Sequence, residues 1–135
     1  MTIQLNDRVT QRLQDEQIIW LTTVRADGMP TPTPVWFHWD GAQILIFSQP
    51  TALKVRNIRA NPHVALHFHT DAEGGDVAIL LGTAQLDEQP PALQQLTAYL
   101  AKYGEGIKML KMTPESLLQT YATAIRVTPT QLRSW

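Results

Sequence analysis

The sequence predicts a mainly β protein, a small six-stranded antiparallel barrel with a few flanking helices. Three observations carry that prediction. Short apolar runs rich in β-branched and aromatic residues recur along the chain. Asp-Gly pairs, the strongest short hairpin signal, separate the first of these runs. Helical spacing is confined to a few stretches between them.

Leu5, Val9 and Leu13 lie four apart and predict a short N-terminal helix resting one stripe on the body. The run IIWLTTVR (18–25) reads as a strand, with Ile18, Trp20, Thr22 and Val24 on one face and Ile19, Leu21 and Thr23 on the other. Asp27–Gly28 predicts a hairpin turn before a second strand over 33–39, and Asp40–Gly41 repeats the device before a third over 43–49. Thr51 is then read as the N-cap of a helix whose buried face is Ala52, Val55 and Ile58. Asn61–Pro62 stops that helix, because proline disfavours helix in the residue before it. Strands over 63–70 and 76–86 follow, separated by the Glu73–Gly75 turn. Beyond Pro90–Pro91, Leu93, Leu96, Leu100 and Tyr103 mark an amphipathic helix predicted to end at Gly104. Thr113 caps a further short helix with Pro114 at its first position, and an alternating strand over 121–128 precedes a short tail. With no repeat or linker, residues 1–135 read as one domain, long enough to bury a real core.

Composition narrows the function. An apolar content of 44% argues against disorder. Eleven basic against twelve acidic residues leave a net charge of −1, so no global field recruits nucleic acid or an anionic membrane. Without cysteine there is no disulfide framework, thiolate nucleophile or cysteine zinc site. The N-terminus lacks the apolar core of a signal peptide, and no apolar run approaches the roughly 20 residues that span a bilayer. A cytoplasmic location is expected.

Acid–base or metal machinery is not visible. His67 and His69 share a strand face, but a third ligand would have to come from His38 or His63, so a half-polar surface or subunit contact is expected there rather than a metal. Ser48, Ser116 and Ser134 lack the context that exposes a nucleophile, and no glycine fingerprint of a nucleotide site exists. Lys54 stands apart. It falls in the first turn of the helix after Thr51, where the dipole disfavours a cation by roughly 0.3–1 kcal/mol. Either the side chain swings away into solvent, or it converges with the first-turn N–H groups and the Thr51 hydroxyl on a bound phosphate. Ser48, ending the preceding strand, offers a further hydrogen bond.

The segment PVWFHWDGAQILIFS followed by LKVRNIRANPHVAL resembles the flavin-binding split-barrel family related to pyridoxamine 5′-phosphate oxidase. The likeness runs from residue 20 to 135, and the Lys-x-Arg-Asn-x-x-x-Asn-Pro spacing is its most specific part. It implies a six-stranded split barrel forming a homodimer, with two cofactor sites at the interface. It implies that Lys54 contacts the cofactor phosphate, that Phe47 and Ser48 flank the ribityl–phosphate end, and that Pro34, Val35, Trp36 and Phe37 lie along the ring. Trp39 and Tyr103 are further candidates to wall the ring or a planar substrate. Leu53 and Pro32 stand where the oxidase proper has arginines, and its longer C-terminal segment is missing, so vitamin B6 oxidation is not expected. The segment from Tyr99 onward is similar to a subfamily that uses the deazaflavin coenzyme F-420. FMN, or alternatively coenzyme F-420, is therefore the expected cofactor of an oxidoreductase passing hydride to a small conjugated or quinone-like molecule. The competing reading is a non-catalytic flavin carrier or sensor, or a haem-binding relative. The helix bearing Lys102 and Tyr103, followed by Gly104 and Gly106, is a candidate lid.

Overall fold

The structure is a computed structural model and describes residues 3–135. Helix α1 (Asp7–Asp15) is capped by the Asn6 side chain, which accepts the Val9 N–H. Then come β1 (Ile19–Val24), β2 (Pro30–Val35), β3 (His38–Trp39), β4 (Ile44–Ser48), α2 (Leu53–Ala60), β5 (His63–His67) and β6 (Ala78–Asp87). A 3-10 turn at Leu93–Gln95 leads into α3 (Thr97–Met109), followed by α4 (Pro114–Thr120) and β7 (Thr123–Ser134). The strands form one antiparallel sheet in the order β2-β1-β5-β6-β7-β4-β3.

The sheet has seven strands rather than six, because the strand expected over 33–39 is broken at Trp36–Phe37. Its first part pairs with β1 and its second with β4, at opposite edges of the sheet. Two linking residues reach no more than about 11 Å. The edges must therefore approach each other, and the sheet curls into a split barrel.

Two apolar cores result. The barrel interior holds Leu21, Ile44, Ile46, Leu66, Leu80 and Ile125, closed off by Val9 and Leu13 of α1 and Val55 and Ile58 of α2. On the other face of β4 and β7, Leu45, Phe47 and Ala124 pack against Tyr99, Tyr103, Ile107 and Leu117 of the α3–α4 pair. All five residues of β4 are buried, which is why its sequence does not alternate.

Polar fastenings hold helices to the sheet. Arg12, only 4% exposed, pairs with Glu16, donates to the carbonyls of Asp76 (2.5 Å) and His69 (2.7 Å), and lies 4.7 Å over the Phe68 ring. The Asn57 amide donates to the hydroxyls of Thr23 and Thr31, each at 3.0 Å, and ties α2 to the β1–β2 hairpin. The asparagine of the Lys-x-Arg-Asn motif is thus consumed inside the fold.

Strand β2 alternates Pro30, Pro32 and Pro34 with Thr31, Thr33 and Val35, opposite Thr23, Leu21 and Ile19 of β1. Only the second set can donate to the ladder, so the prolines turn their nitrogen side to the free edge. Strand β7 continues to Ser134, beyond the predicted end at 128. It passes Pro129 at a register shift opposite Leu81 and Gly82, where any Cβ on Gly82 would strike the Thr128 carbonyl.

Helix α3 does not end at Gly104 but runs through both glycines to Met109. The reason is a close approach. A Cβ at Gly106 would stand 2.9 Å from Cζ2 of Trp36, whose ring stacks on Tyr103 at 4.6 Å and 9°. Gly106 is a seat for the indole rather than a hinge. Gly104 has nothing within 4 Å of its missing Cβ. Gly104→Ala should therefore stabilise the protein by roughly 0.5–1 kcal/mol, the ordinary helical gain. Gly106→Ala should forfeit that gain and lose stability as Trp36 is displaced. Urea midpoints of the two variants against wild type measure the contrast, and tryptophan emission should shift only in Gly106→Ala.

Candidate functional site

Helix α2 starts one residue later than predicted. Ala52 is the N-cap, with its N–H closing a turn on the Gln49 carbonyl (3.1 Å) and no side-chain acceptor to offer. Thr51 is exposed in that turn and caps nothing. Among the described residues, the N–H groups of Leu53 and Lys54 consequently find no acceptor, and the first turn of α2 carries no acidic residue. These N–H groups are the positive end of the helix, left open.

Lys54 does not swing out into solvent. It is partly buried, has no ion pair or hydrogen bond among the described residues, and burial lowers its pKa from 10.5. It lines a cavity of about 340 Å³ together with Ile18, Pro34, Val35, Trp36 and Phe47. Tyr99 of α3, Leu110, and Leu117 and Tyr121 at α4 complete the wall. Lys54 is the one ammonium or guanidinium in that lining. A largely apolar cavity with one cation at a helix start has the donor set for an apolar ring bearing an anionic tail.

Five of the eight residues expected from the sequence thus meet around one space: Pro34, Val35, Trp36, Phe47 and Lys54. Three do not. Ser48 is 1% exposed, and its hydroxyl donates to the adjacent Gln49 carbonyl (3.1 Å). Thr51 faces solvent in the turn before the cap. Phe37 is fully buried in the barrel core, 5.8 Å from Phe68, because the linker twist turns it opposite to Trp36. Of the further aromatic candidates, Tyr103 is buried behind Trp36, and Trp39 borders a separate hollow of about 640 Å³ with Leu5, Gln43 and Thr128. That hollow is larger but has no ionisable side chain in its lining. His67 and His69 flank Trp20, stacked at 6.3 Å and edge-on at 6.2 Å, away from the cavity. Among the described residues no three His, Asp or Glu side chains gather as a metal centre would require.

A family model described as pyridoxamine 5′-phosphate oxidase matches residues 5–135. The chain belongs to that family. Its fold agrees with solved members and relatives over almost the whole length. A candidate pyridoxamine 5′-phosphate oxidase from Listeria innocua is 24% identical, with 94% of each chain covered and a TM-score of 0.67. A protein described as an F420 reductase is 25% identical over 91% of this chain and 94% of its own, also at 0.67. The haem storage protein HutZ from Vibrio cholerae, 20% identical over 98% and 95%, reaches 0.71 and shares the fold. Among the described residues no helix is long and apolar enough to cross a membrane.

Within this family fold, Leu53 is 43% exposed and Pro32 also faces out, so neither position adds a cation to the cavity. Arg56 turns toward the β1–β2 turn, beside Arg25 and Asp27. Tyr99 and Tyr121 were not anticipated. Tyr99 sits on the same helical stripe as Leu96 and Tyr103, a pattern that signals burial but not that one ring would border a cavity.

Lys102 supplies a titration next to the site. Its ammonium donates to the Phe37 carbonyl (3.3 Å) and lies 3.8 Å from the Phe37 ring centroid. Burial pushes its pKa from 10.5 down to about 8, although Asp15 and Glu16 pull the other way. Between those values the unfolded chain holds a proton that the folded one lacks, so stability rises with pH across the window. Lys102→Met should show a smaller rise, read from urea midpoints at several pH values between about 8 and 10.

Proposed function

We propose that the chain is a flavin- or deazaflavin-dependent oxidoreductase. In this reading it binds FMN, or alternatively coenzyme F-420, and passes hydride to a small conjugated or quinone-like molecule. The observation that carries the reading is Lys54: a partly buried cation with no partner among the described residues, at a helix start with two free N–H groups and no side-chain cap, in a largely apolar cavity. A phosphate placed there turns the unfavourable dipole contact into a favourable one. The isoalloxazine or deazaflavin ring, when bound, supplies the hydride chemistry itself. The protein's share is position and dryness. Pro34, Val35, Trp36 and Phe47 offer apolar surface to a planar ring, and the buried Leu117 helps keep water out.

Assembly as a homodimer belongs to the same reading. The outward face of β1, β5 and β6 carries Trp20, Val24, Ala65, Ile79 and Leu81, all only partly exposed, a surface suited to a second copy. The likeness to an F420 reductase at 25% identity supports the deazaflavin, and the family description supports FMN. The haem alternative finds less support, since no histidine lines the cavity.

Lys54→Ala should weaken FMN binding by roughly 1.5–3 kcal/mol, as for a charge-assisted hydrogen bond, and leave riboflavin affinity unchanged. Titration calorimetry of both ligands on both proteins decides it, and unchanged FMN affinity would sink the phosphate site. For the redox step, holoprotein reduced with either cofactor should be reoxidised by quinones faster than free cofactor in rapid mixing. No acceleration across a panel of such acceptors would leave a carrier or sensor.

A further inference from the structure

Tyr99 presents a hydroxyl that the fold does not use. The residue is 3% exposed, with its ring edge-on to Phe47 at 5.1 Å and tilted against Tyr103 at 4.8 Å. Tyr103, one turn further along α3, is equally buried and spends its hydroxyl on the Phe37 and Gln17 backbone. No such partner serves Tyr99 among the described residues. Yet no side-chain nitrogen or oxygen sealed from solvent among them lacks a hydrogen bond. The small exposed part of Tyr99 must therefore include its hydroxyl, and Tyr99 is one of the residues that line the 340 Å³ cavity. Tyr121, also without a side-chain hydrogen bond among the described residues, lines the same cavity.

A phenylalanine would pack against Phe47 and Tyr103 equally well, so the Tyr99 hydroxyl is surplus to the packing of the fold. Burial raises the phenol's pKa, so the group stays a neutral O–H donor through neutral and mildly alkaline pH. The cavity lining thus has two kinds of polar side chain: the Lys54 ammonium from α2, suited to an anionic group, and the phenols of Tyr99 from α3 and of Tyr121 just after α4, suited to a neutral oxygen. The rest is hydrocarbon and aromatic ring.

We propose that Tyr99, with Tyr121 beside it, is a specificity-determining residue whose hydroxyl donates a hydrogen bond to a ring carbonyl oxygen of the molecule held in this cavity. The proposal rests on the preceding reading only for a planar, carbonyl-bearing occupant, not for the phosphate. The carbonyl belongs either to the cofactor ring or to the hydride acceptor, and the test separates the two. Tryptophan fluorescence, with Trp36 in the cavity wall, is titrated with riboflavin, 2-methyl-1,4-naphthoquinone and 2-methylnaphthalene, on wild type, Tyr99→Phe and Tyr121→Phe.

Tyr99→Phe should bind one or both carbonyl compounds about tenfold more weakly and leave the hydrocarbon unchanged. Tyr121→Phe should show a smaller loss of the same kind. A loss confined to riboflavin assigns the hydrogen bond to the cofactor ring; one confined to the naphthoquinone assigns it to the acceptor. Near-ultraviolet circular dichroism identical to wild type checks that the phenylalanine variant is folded. None of the three probes carries phosphate, so the outcome is independent of Lys54. Unchanged FMN affinity in Lys54→Ala together with a Tyr99→Phe loss would remove the phosphate site and keep this one. Equal affinity of wild type and Tyr99→Phe for both carbonyl compounds, or no binding of either by wild type, overturns the proposal.

Discussion

The barrel depends on a seam that hydrogen bonding between strands does not close. Strands β2 and β3 sit at opposite edges of the sheet and are joined only by Trp36 and Phe37. Neither residue lies in the ladder, so something else must satisfy the linker's backbone and hold its course. That element is Tyr103. Its hydroxyl accepts the Phe37 N–H at 2.9 Å and lies 2.8 Å from the Gln17 carbonyl and 2.9 Å from that of Phe37, one of which takes its single proton. Lys102, the preceding residue, adds a charge on the same carbonyl. One turn of helix thereby replaces the missing rungs.

This arrangement explains why the helices of the second core are not peripheral. Fixing Phe37 inward forces Trp36 outward, where the Tyr103 ring and the bare backbone of Gly106 receive it. The same indole then becomes a wall of the cavity. Barrel closure, the seating of α3 and the shape of the slot are thus one packing problem with a shared solution. The start of α2 meets that slot from the other side. Asn57 fixes the helix to the β1–β2 hairpin through two threonine hydroxyls, which leaves its first turn free to face a ligand. The position of Lys54 is set by rigid elements on both sides rather than by a loop.

Much of this was legible in the residues. Alternation and the Asp-Gly turns locate the strands, and the dipole misfit at Lys54 is visible in the sequence alone. What failed did so for physical reasons that local sequence does not express. Thr51 has cap chemistry, but the turn from Gln49 delays the helix by one residue. Gly104 looked like a helix end, whereas the other α3 glycine, Gly106, receives the ring of Trp36, far away in sequence. The break at Trp36–Phe37 is a tertiary event inside a run that reads as continuous strand. Nothing in the local pattern sets Arg12 apart, since carbonyl acceptors at 69 and 76 cannot be seen from their side chains. For the site, residues contributed by β2, β4 and α2 carried a recognisable pattern. Those from α3 and α4 looked like ordinary core, and only the surplus hydroxyl of Tyr99 sets it apart.

The prolines of β2 have an effect beyond the chain itself. Along the free edge of that strand the backbone offers carbonyl oxygens at 30, 32 and 34 but no hydrogen to give, because each outward nitrogen is substituted by a ring. An incoming strand needs both kinds of group to zip on. This edge therefore rejects a further β-strand, whether from another copy or from an unfolded neighbour. Growth of the sheet into fibrillar stacks is blocked there by covalent chemistry, without an added charge.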